Sequence, residues 1–218
     1  MKVPPGALVN QIFVGEPTAP TPLGDKPLLL ETLKKYARTL DCDIEDARVI
    51  PLTYMLKDTK ECWMFYARYS APGAKNRTWI IKGPLHSAKQ VSIMNNEKLL
   101  RHLTDKNGEI CTEKVIERSE FLQEYMSNPL LLAGRKFDVR AFMLVASVRP
   151  LIVYVYNETY VRAAMKSYTD PLTTRDRSRH VTNTHVQKKS LGREFTRLDW
   201  EDHIWNTERV HQEAREAG

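Results

Sequence analysis

The sequence predicts an α+β fold in which an antiparallel sheet is flanked by helices, and three stretches carry that expectation. Residues 136 to 147 and 151 to 157 alternate as strands and are joined across only Val148, Arg149 and Pro150, a spacing that favours an antiparallel hairpin. "KPLLLETLKKYARTL" sets Leu29, Leu33, Tyr36 and Leu40 at helical spacing. "RTWIIKG" is a compact apolar strand that ends in Lys82 and is stopped by Gly83 and Pro84.

The other elements follow in chain order. Pro4, Pro5, Pro17, Pro20, Pro22 and Pro27 leave no room for a regular element, so the chain enters as an extended segment. "ARVIPLTYML" reads as a short strand broken by Pro51, and "KECWMFYARYS" as a helix with Cys62, Phe65 and Tyr69 along one side. A strand is predicted around Phe121 to Tyr125, closed by Asn128 and Pro129, and another within "YVRAAM". "TDPLTTRDRSRHVTNTHVQKKS" has little to bury and reads as a loop. "FTRLDWEDHIWNTERVHQEAREAG" reads as one helix using Leu198, Ile204 and Trp205, polar in its C-terminal half, a segment cut off from its packing partner. These elements group as an N-terminal segment (1–75), a central region (76–190) and a polar C-terminal tail (191–218).

With 218 residues and 42% hydrophobic content, the chain has enough to bury a core in one domain or two small ones. No stretch approaches the roughly 18 consecutive apolar residues of a membrane span, and the opening residues lack a signal-like apolar run. A soluble intracellular protein with no membrane partner is expected. Cys42, Cys62 and Cys111 are odd in number and widely spaced, matching neither a disulfide framework nor a zinc site, and are predicted to be reduced and structural. The net charge of +6 is uneven: residues 131 to 197 hold 13 Lys and Arg against 5 Asp and Glu, a local excess of +8. Such a segment is either a solvated basic face or a landing surface for phosphate, nucleic acid or an acidic polypeptide.

Within it, Lys136, Asp138 and Arg140 point to one side of a strand, and Phe137, Val139 and Ala141 to the other. The spacing alone fits an exposed ladder of paired charges. Less readily, it fits a donor-rich site with surplus positive charge, suited to ribose and phosphate oxygens.

From Phe121 to Ser190 the sequence resembles the tubulin tyrosine ligase-like family, ATP-grasp enzymes that ligate amino acids to tubulin tails. The resemblance rests on N-P-L-L-L, K-F-D-V-R, P-L-x-V-Y-x-Y and H-V-T-N occurring in this order. Weaker similarity extends through "RTWIIK", "VIPLTYML" and "VNQIF". The resemblance implies an incomplete ATP-grasp-like fold and the cofactors ATP and magnesium. It implies that Lys82 contacts nucleotide phosphates, that Gln123, Glu124, Tyr125 and Met126 form the hinge at the adenine edge, and that Lys136 and Asp138 bind nucleotide. It further implies that Arg140 and Arg162 handle phosphate and the acceptor carboxylate as catalytic and substrate-binding residues, and that His180, Thr182 and Asn183 border the peptide-tail site. An acyl-phosphate route suits two fixed guanidinium groups, which offset the charge of the transferring phosphoryl group.

Two departures qualify this. The loop after Lys82, "GPLHSAKQVSI", has Gly83 but then Pro84 and no later glycine before Ile93, so few backbone donors are left to approach phosphates, with Ser87 and Lys89 as the remaining contacts. The family's magnesium-binding carboxylates end in an E-x-N pattern that Glu208, Glu213 and Glu216 do not match. The expectation is a fragment of a longer ligase or a shortened, non-catalytic relative of the polyglutamylases that binds tubulin and microtubules in the cytoplasm and cytoskeleton, including cilium, axoneme or basal body. The alternatives are an active ATP- and magnesium-dependent tubulin glutamate ligase, and a basic nucleic-acid-binding domain. The last lacks a groove-reading motif, and Tyr154 and Tyr156 alternate like a packed strand face.

Overall fold

The computed structural model describes residues 26–42, 50–83, 91–118, 120–173 and 176–216, and the chain divides into two units, 1–52 and 53–218. The predicted proline-rich entry up to Asp25 and the "VNQIF" similarity lie outside the described residues. The first unit contributes helix α1, Lys26–Thr39. Its buried positions are Leu30 and Ala37, seven apart and so on one face, whereas Tyr36 and Leu40 are exposed. The apolar stripe therefore runs one residue later than the predicted spacing, with Leu29 and Leu33 half-buried at its margin.

The second unit opens with a four-stranded antiparallel sheet in the order β1-β4-β2-β3, formed by Thr53–Met55, Phe121–Glu124, Thr78–Lys82 and Val91–Asn95. Helices α2 (Thr59–Ser70) and α3 (Asn96–His102) pack against it, and a short helix α4 follows at Glu113–Ile116. Asp58 caps α2 and Asn95 caps α3, each side chain accepting a backbone N–H of the first turn. Alternation in β2 sends Trp79 and Ile81 into the core and leaves Ile80 and Lys82 on the opposite face. Trp79 meets Tyr54, Phe65 and Tyr69 edge-on, with ring centres 5.1 to 6.0 Å apart. Its indole N–H donates to Asn96 Oδ1 at 2.9 Å, so this buried polar atom is satisfied. The predicted face of α2 holds: Cys62, Phe65 and Tyr69 are its buried residues.

The cysteines are a correction. Cys62 and Cys111 form a disulfide, their Cα atoms 5.9 Å apart, and only Cys42 is free and exposed. A sequence separation of 49 hid a pairing that only the tertiary fold brings about.

A second antiparallel sheet has the order β10-β9-β6-β5: Ile204–Trp205, Tyr160–Ala163, Arg135–Arg140 and Leu131–Leu132. Ala133 and Gly134 form the two-residue turn between β5 and β6 with φ of 48° and 66°, the left-handed pair that a tight hairpin needs. Leu132, Val161, Ala163 and Trp205 form its core, with Phe137 and Val210 packed on them.

The predicted long strand 136–147 splits. β6 stays with β9, and after Ala141 and Phe142 the chain leaves that sheet as β7 (Met143–Val148), which pairs only with β8 (Leu151–Val155). The hairpin itself is as predicted, but every residue of β8 is exposed, and Tyr154 and Tyr156 are exposed too rather than packed.

The predicted loop after Ser167 contains a 3-10 turn at Arg177–Arg179 and helix α5, Thr184–Leu191. Helix α5 is capped by Asn183 and ended by Gly192 in the left-handed conformation. Its fully buried residue is polar Gln187, which donates to Ser178 O and Val181 O and accepts from the Met165 N–H. The predicted single C-terminal helix is α6 (Arg197–His203), then β10, then α7 (Thr207–Glu216). That segment is not cut off from a partner: Trp205 is wholly buried, its ring faced by Arg135 and Arg209 guanidinium groups at 4.8 and 4.6 Å. No helix among the described residues is long and apolar enough to cross a membrane.

Candidate functional site

The predicted site residues fall into three groups. On the sheet face opposite α2, Lys82 Nζ donates to Gln123 Oε1 at 2.7 Å, and Gln123 Nε2 donates to Thr53 Oγ1 at 3.1 Å. The register that pairs Lys82 with Phe121 also puts the Lys82 ammonium 5.5 Å from that ring's centre. Glu124 turns away to pair with Arg77. The Tyr125 N–H extends the ladder to Thr78 O at 2.8 Å, and Met126 lies exposed beyond the strand's end. The glycine-poor loop Pro84–Gln90, with Ser87 and Lys89, lies outside the described residues.

The second group joins the two sheets. Lys136 Nζ donates to the Tyr125 hydroxyl at 3.0 Å, and that hydroxyl lies 3.3 Å from His180 Nδ1. Tyr168 packs edge-on to His180, with ring centres 5.3 Å apart. Burial drives the chemistry here. It lowers the Lys136 pKa to about 8 against the opposing pull of Asp138, lowers that of His180, and raises that of the Tyr125 phenol well above its ordinary value. His180 Nε2 is buried with no hydrogen-bond partner. Such an unsatisfied group costs roughly 1–3 kcal/mol.

The third group lies on the second sheet. The register places Asp138 opposite Arg162 and Arg140 opposite Tyr160. Arg162 forms a two-pronged ion pair with Asp138 through Nε and Nη2, which raises its pKa further. Arg140 sits at the exposed end of β6, its guanidinium 5.5 Å from the Phe142 ring centre, and no described acidic residue pairs with it. The net positive charge of the K-x-D-x-R face therefore resides on Lys136, half-buried, and Arg140, exposed. Asn183 is occupied in capping α5, and Thr182 is half-buried just before it.

Sequence reasoning missed the side chains that organise this junction. The resemblance places Tyr125 only in the hinge at the adenine edge, yet its hydroxyl bridges Lys136 and His180. Tyr168 stands just before the stretch read as a loop and carries no expectation of its own. The signal for both is weak in sequence, being one aromatic residue inside a polar or strand-ending stretch.

A model of the tubulin-tyrosine ligase family matches residues 18–216. The chain belongs to that family. Among its relatives, the protein polyglycylase TTLL10 of Macaca fascicularis is 31% identical over 170 residues, covering 74% of this chain and 26% of that protein. The probable alpha-tubulin polyglutamylase Ttll1 of Tetrahymena thermophila is 33% identical over 180 residues, covering 76% and 43%. The inactive polyglycylase TTLL10 of Homo sapiens is 28% identical over 170 residues, covering 74% and 24%. The chain thus spans about a quarter of the length of the polyglycylases it matches. Membership of the tubulin-tyrosine ligase family leaves catalysis open here, because relatives named as active and as inactive match comparably well.

The resemblance implies magnesium, which at a nucleotide needs only one or two carboxylates beside the phosphates. Among the described residues no group of three His, Cys, Asp or Glu is placed to hold a metal ion.

Proposed function

We propose that this chain binds the acidic tails of tubulin through the second sheet and does not itself ligate amino acids onto them. The observation that carries the reading is the exposed guanidinium of Arg140 beside an Asp138–Arg162 pair that is already neutralised. A cation without an internal partner, at the rim of a segment with an excess of +8, is a docking point for carboxylates. Arg162 supports it by holding Asp138, so that this carboxylate does not repel an incoming glutamate. Relatives named as tubulin glycylases and polyglutamylases support tubulin as the partner. The expected setting is the microtubule cytoskeleton, cilia included.

A second reading, an ATP-dependent glutamate or glycine ligase within a longer polypeptide, is favoured by the first sheet. Lys82 and Met126 lie at opposite ends of paired strands, about five residues or roughly 17 Å apart, which suits an elongated nucleotide with its phosphates at Lys82 and its base at the hinge. Lys136 and Asp138 would then meet its sugar and phosphates.

Co-sedimentation decides the first reading. The purified chain is expected to pellet with microtubules and to lose most of that binding once the tails are removed by protease; unchanged binding would overturn it. Incubation with tubulin, ATP, magnesium and labelled glutamate or glycine separates the second, and robust incorporation would restore the ligase.

A further inference from the structure

The β7–β8 hairpin is a two-stranded sheet of its own, and among the described residues neither strand has a second neighbour. A lone hairpin is marginal in water, and soluble proteins guard an open strand edge with charge, proline or a bulge. The two edges here differ. The register slips between Val145 and Ser147, so the β7 edge is interrupted in mid-strand, whereas β8 runs regularly through Leu151–Val155 with neither a charge nor a proline. Every residue of β8 is exposed, with Leu151, Val153 and Val155 on one face and Ile152 and Tyr154 on the other. Water therefore meets apolar side chains on both faces, beside an edge that nothing guards.

We propose that β8 pairs antiparallel with β8 of a second copy of this chain, across a two-fold axis at Val153. The sequence is self-complementary in that register. Ile152 falls opposite Tyr154 of the second copy and Leu151 opposite its Val155, so a branched aliphatic meets an aromatic or a second aliphatic in each pair. Beyond the strand, the same register brings Arg149 opposite Asn157 and beside Glu158 of the second copy, once at each end. Both charged residues are exposed, and neither has an ion-pair partner among the described residues; Glu158 accepts only from the Tyr156 hydroxyl, at 3.4 Å. The joined sheet, in the order β7-β8-β8-β7, ends on an interrupted strand at either side, so pairing stops at two copies and does not run on as a filament. Five paired residues a side bury less than the roughly 800 Å² per partner of a standard interface, so the association is weak and reversible. Arg140, whose guanidinium lies 5.5 Å from the Phe142 ring at the foot of β7, is then present twice, which adds avidity on a microtubule. That last consequence rests on the tail-binding reading, whereas the pairing does not.

Sedimentation equilibrium of the whole chain is the test, and a monomer–dimer equilibrium is expected, with the amides of residues 151–155 better protected from exchange at high concentration than at low. Val153→Lys sets two ammonium groups against each other at the axis and should abolish the dimer; the side chain is exposed, so folding is retained. Arg149→Glu and Glu158→Arg each bring like charges together and should weaken pairing about tenfold. An equimolar mixture of those two variants should recover the wild-type affinity, because the mixed dimer restores both ion pairs. A chain that stays monomeric, one that grows beyond two copies, or variants that do not rescue each other overturn the proposal. A monomer whose 151–155 amides gain protection only on microtubules also overturns it and assigns the hairpin to tubulin. Co-sedimentation reads the tail-binding function separately: a dimer that does not pellet with microtubules supports the pairing and overturns that function.

Discussion

Lys136 Nζ lies 3.0 Å from the Tyr125 hydroxyl and 4.3 Å from the centre of the same ring. One neutral oxygen and one π face replace the water shell of an ammonium, and burial brings its pKa from 10.5 down to about 8. Between pH 8 and 10.5 the unfolded chain holds a proton that the folded one has shed, so this residue's contribution to stability rises with pH across that window. Below pH 8 the full cost of the buried charge is present. Lys136→Met is therefore expected to stabilise the protein at pH 7 by about 1–3 kcal/mol, with the gain over wild type shrinking towards pH 10. Urea midpoints at both pH values check this, and a variant less stable at pH 7 would refute it.

Arg140 and Arg162 separate binding from stability. Arg140→Ala should weaken association with intact microtubules and leave the urea midpoint unchanged within error. Arg162→Ala strands the Asp138 carboxylate and should cost about 1–2 kcal/mol, a value kept low because the pair is partly solvated. The double variant should show both defects, read by co-sedimentation and unfolding side by side.

The disulfide is open to a thiol count. Denatured without reductant, the chain should present one reactive thiol, Cys42, and three after reduction. Three thiols before reduction would show that Cys62 and Cys111 are unlinked. Replacing both by Ala is expected to cost about 2–4 kcal/mol, typical of a native cross-link.

Trp205 tests the docking of the C-terminal segment. Trp205→Ala removes the centre of the cluster formed with Leu132, Val161 and Ala163 and should cost about 3–5 kcal/mol. Hydrogen exchange should then rise throughout 204–216 ahead of the first sheet. Protection that falls evenly across the chain would contradict that order.

What could be read from sequence followed the side chains that bury. Helix α2 was legible because Cys62, Phe65 and Tyr69 repeat at helical spacing and do face the core. Helix α5 was not, because its buried anchor is Gln187, whose satisfied hydrogen bonds look in sequence like any loop amide. Strand β10 is two residues inside a polar stretch, and Trp205 reaches its pocket by leaving the helical path that its neighbours suggest. At the site, charges spaced by two placed Lys136, Asp138 and Arg140 on one face, but Asp138 finds its partner on β9, and only register supplies that. The resemblance carried the family; the Tyr125 bridge came from the tertiary arrangement alone.

The β7–β8 hairpin leaves Leu151 at 72% and Val155 at 69% exposure, with Met143, Tyr154 and Tyr156 also open to water. Two short strands that water wets on their apolar side chains are a liability for self-association, so the tendency of the purified chain to aggregate should rise with concentration and fall when Leu151 and Val155 are made polar.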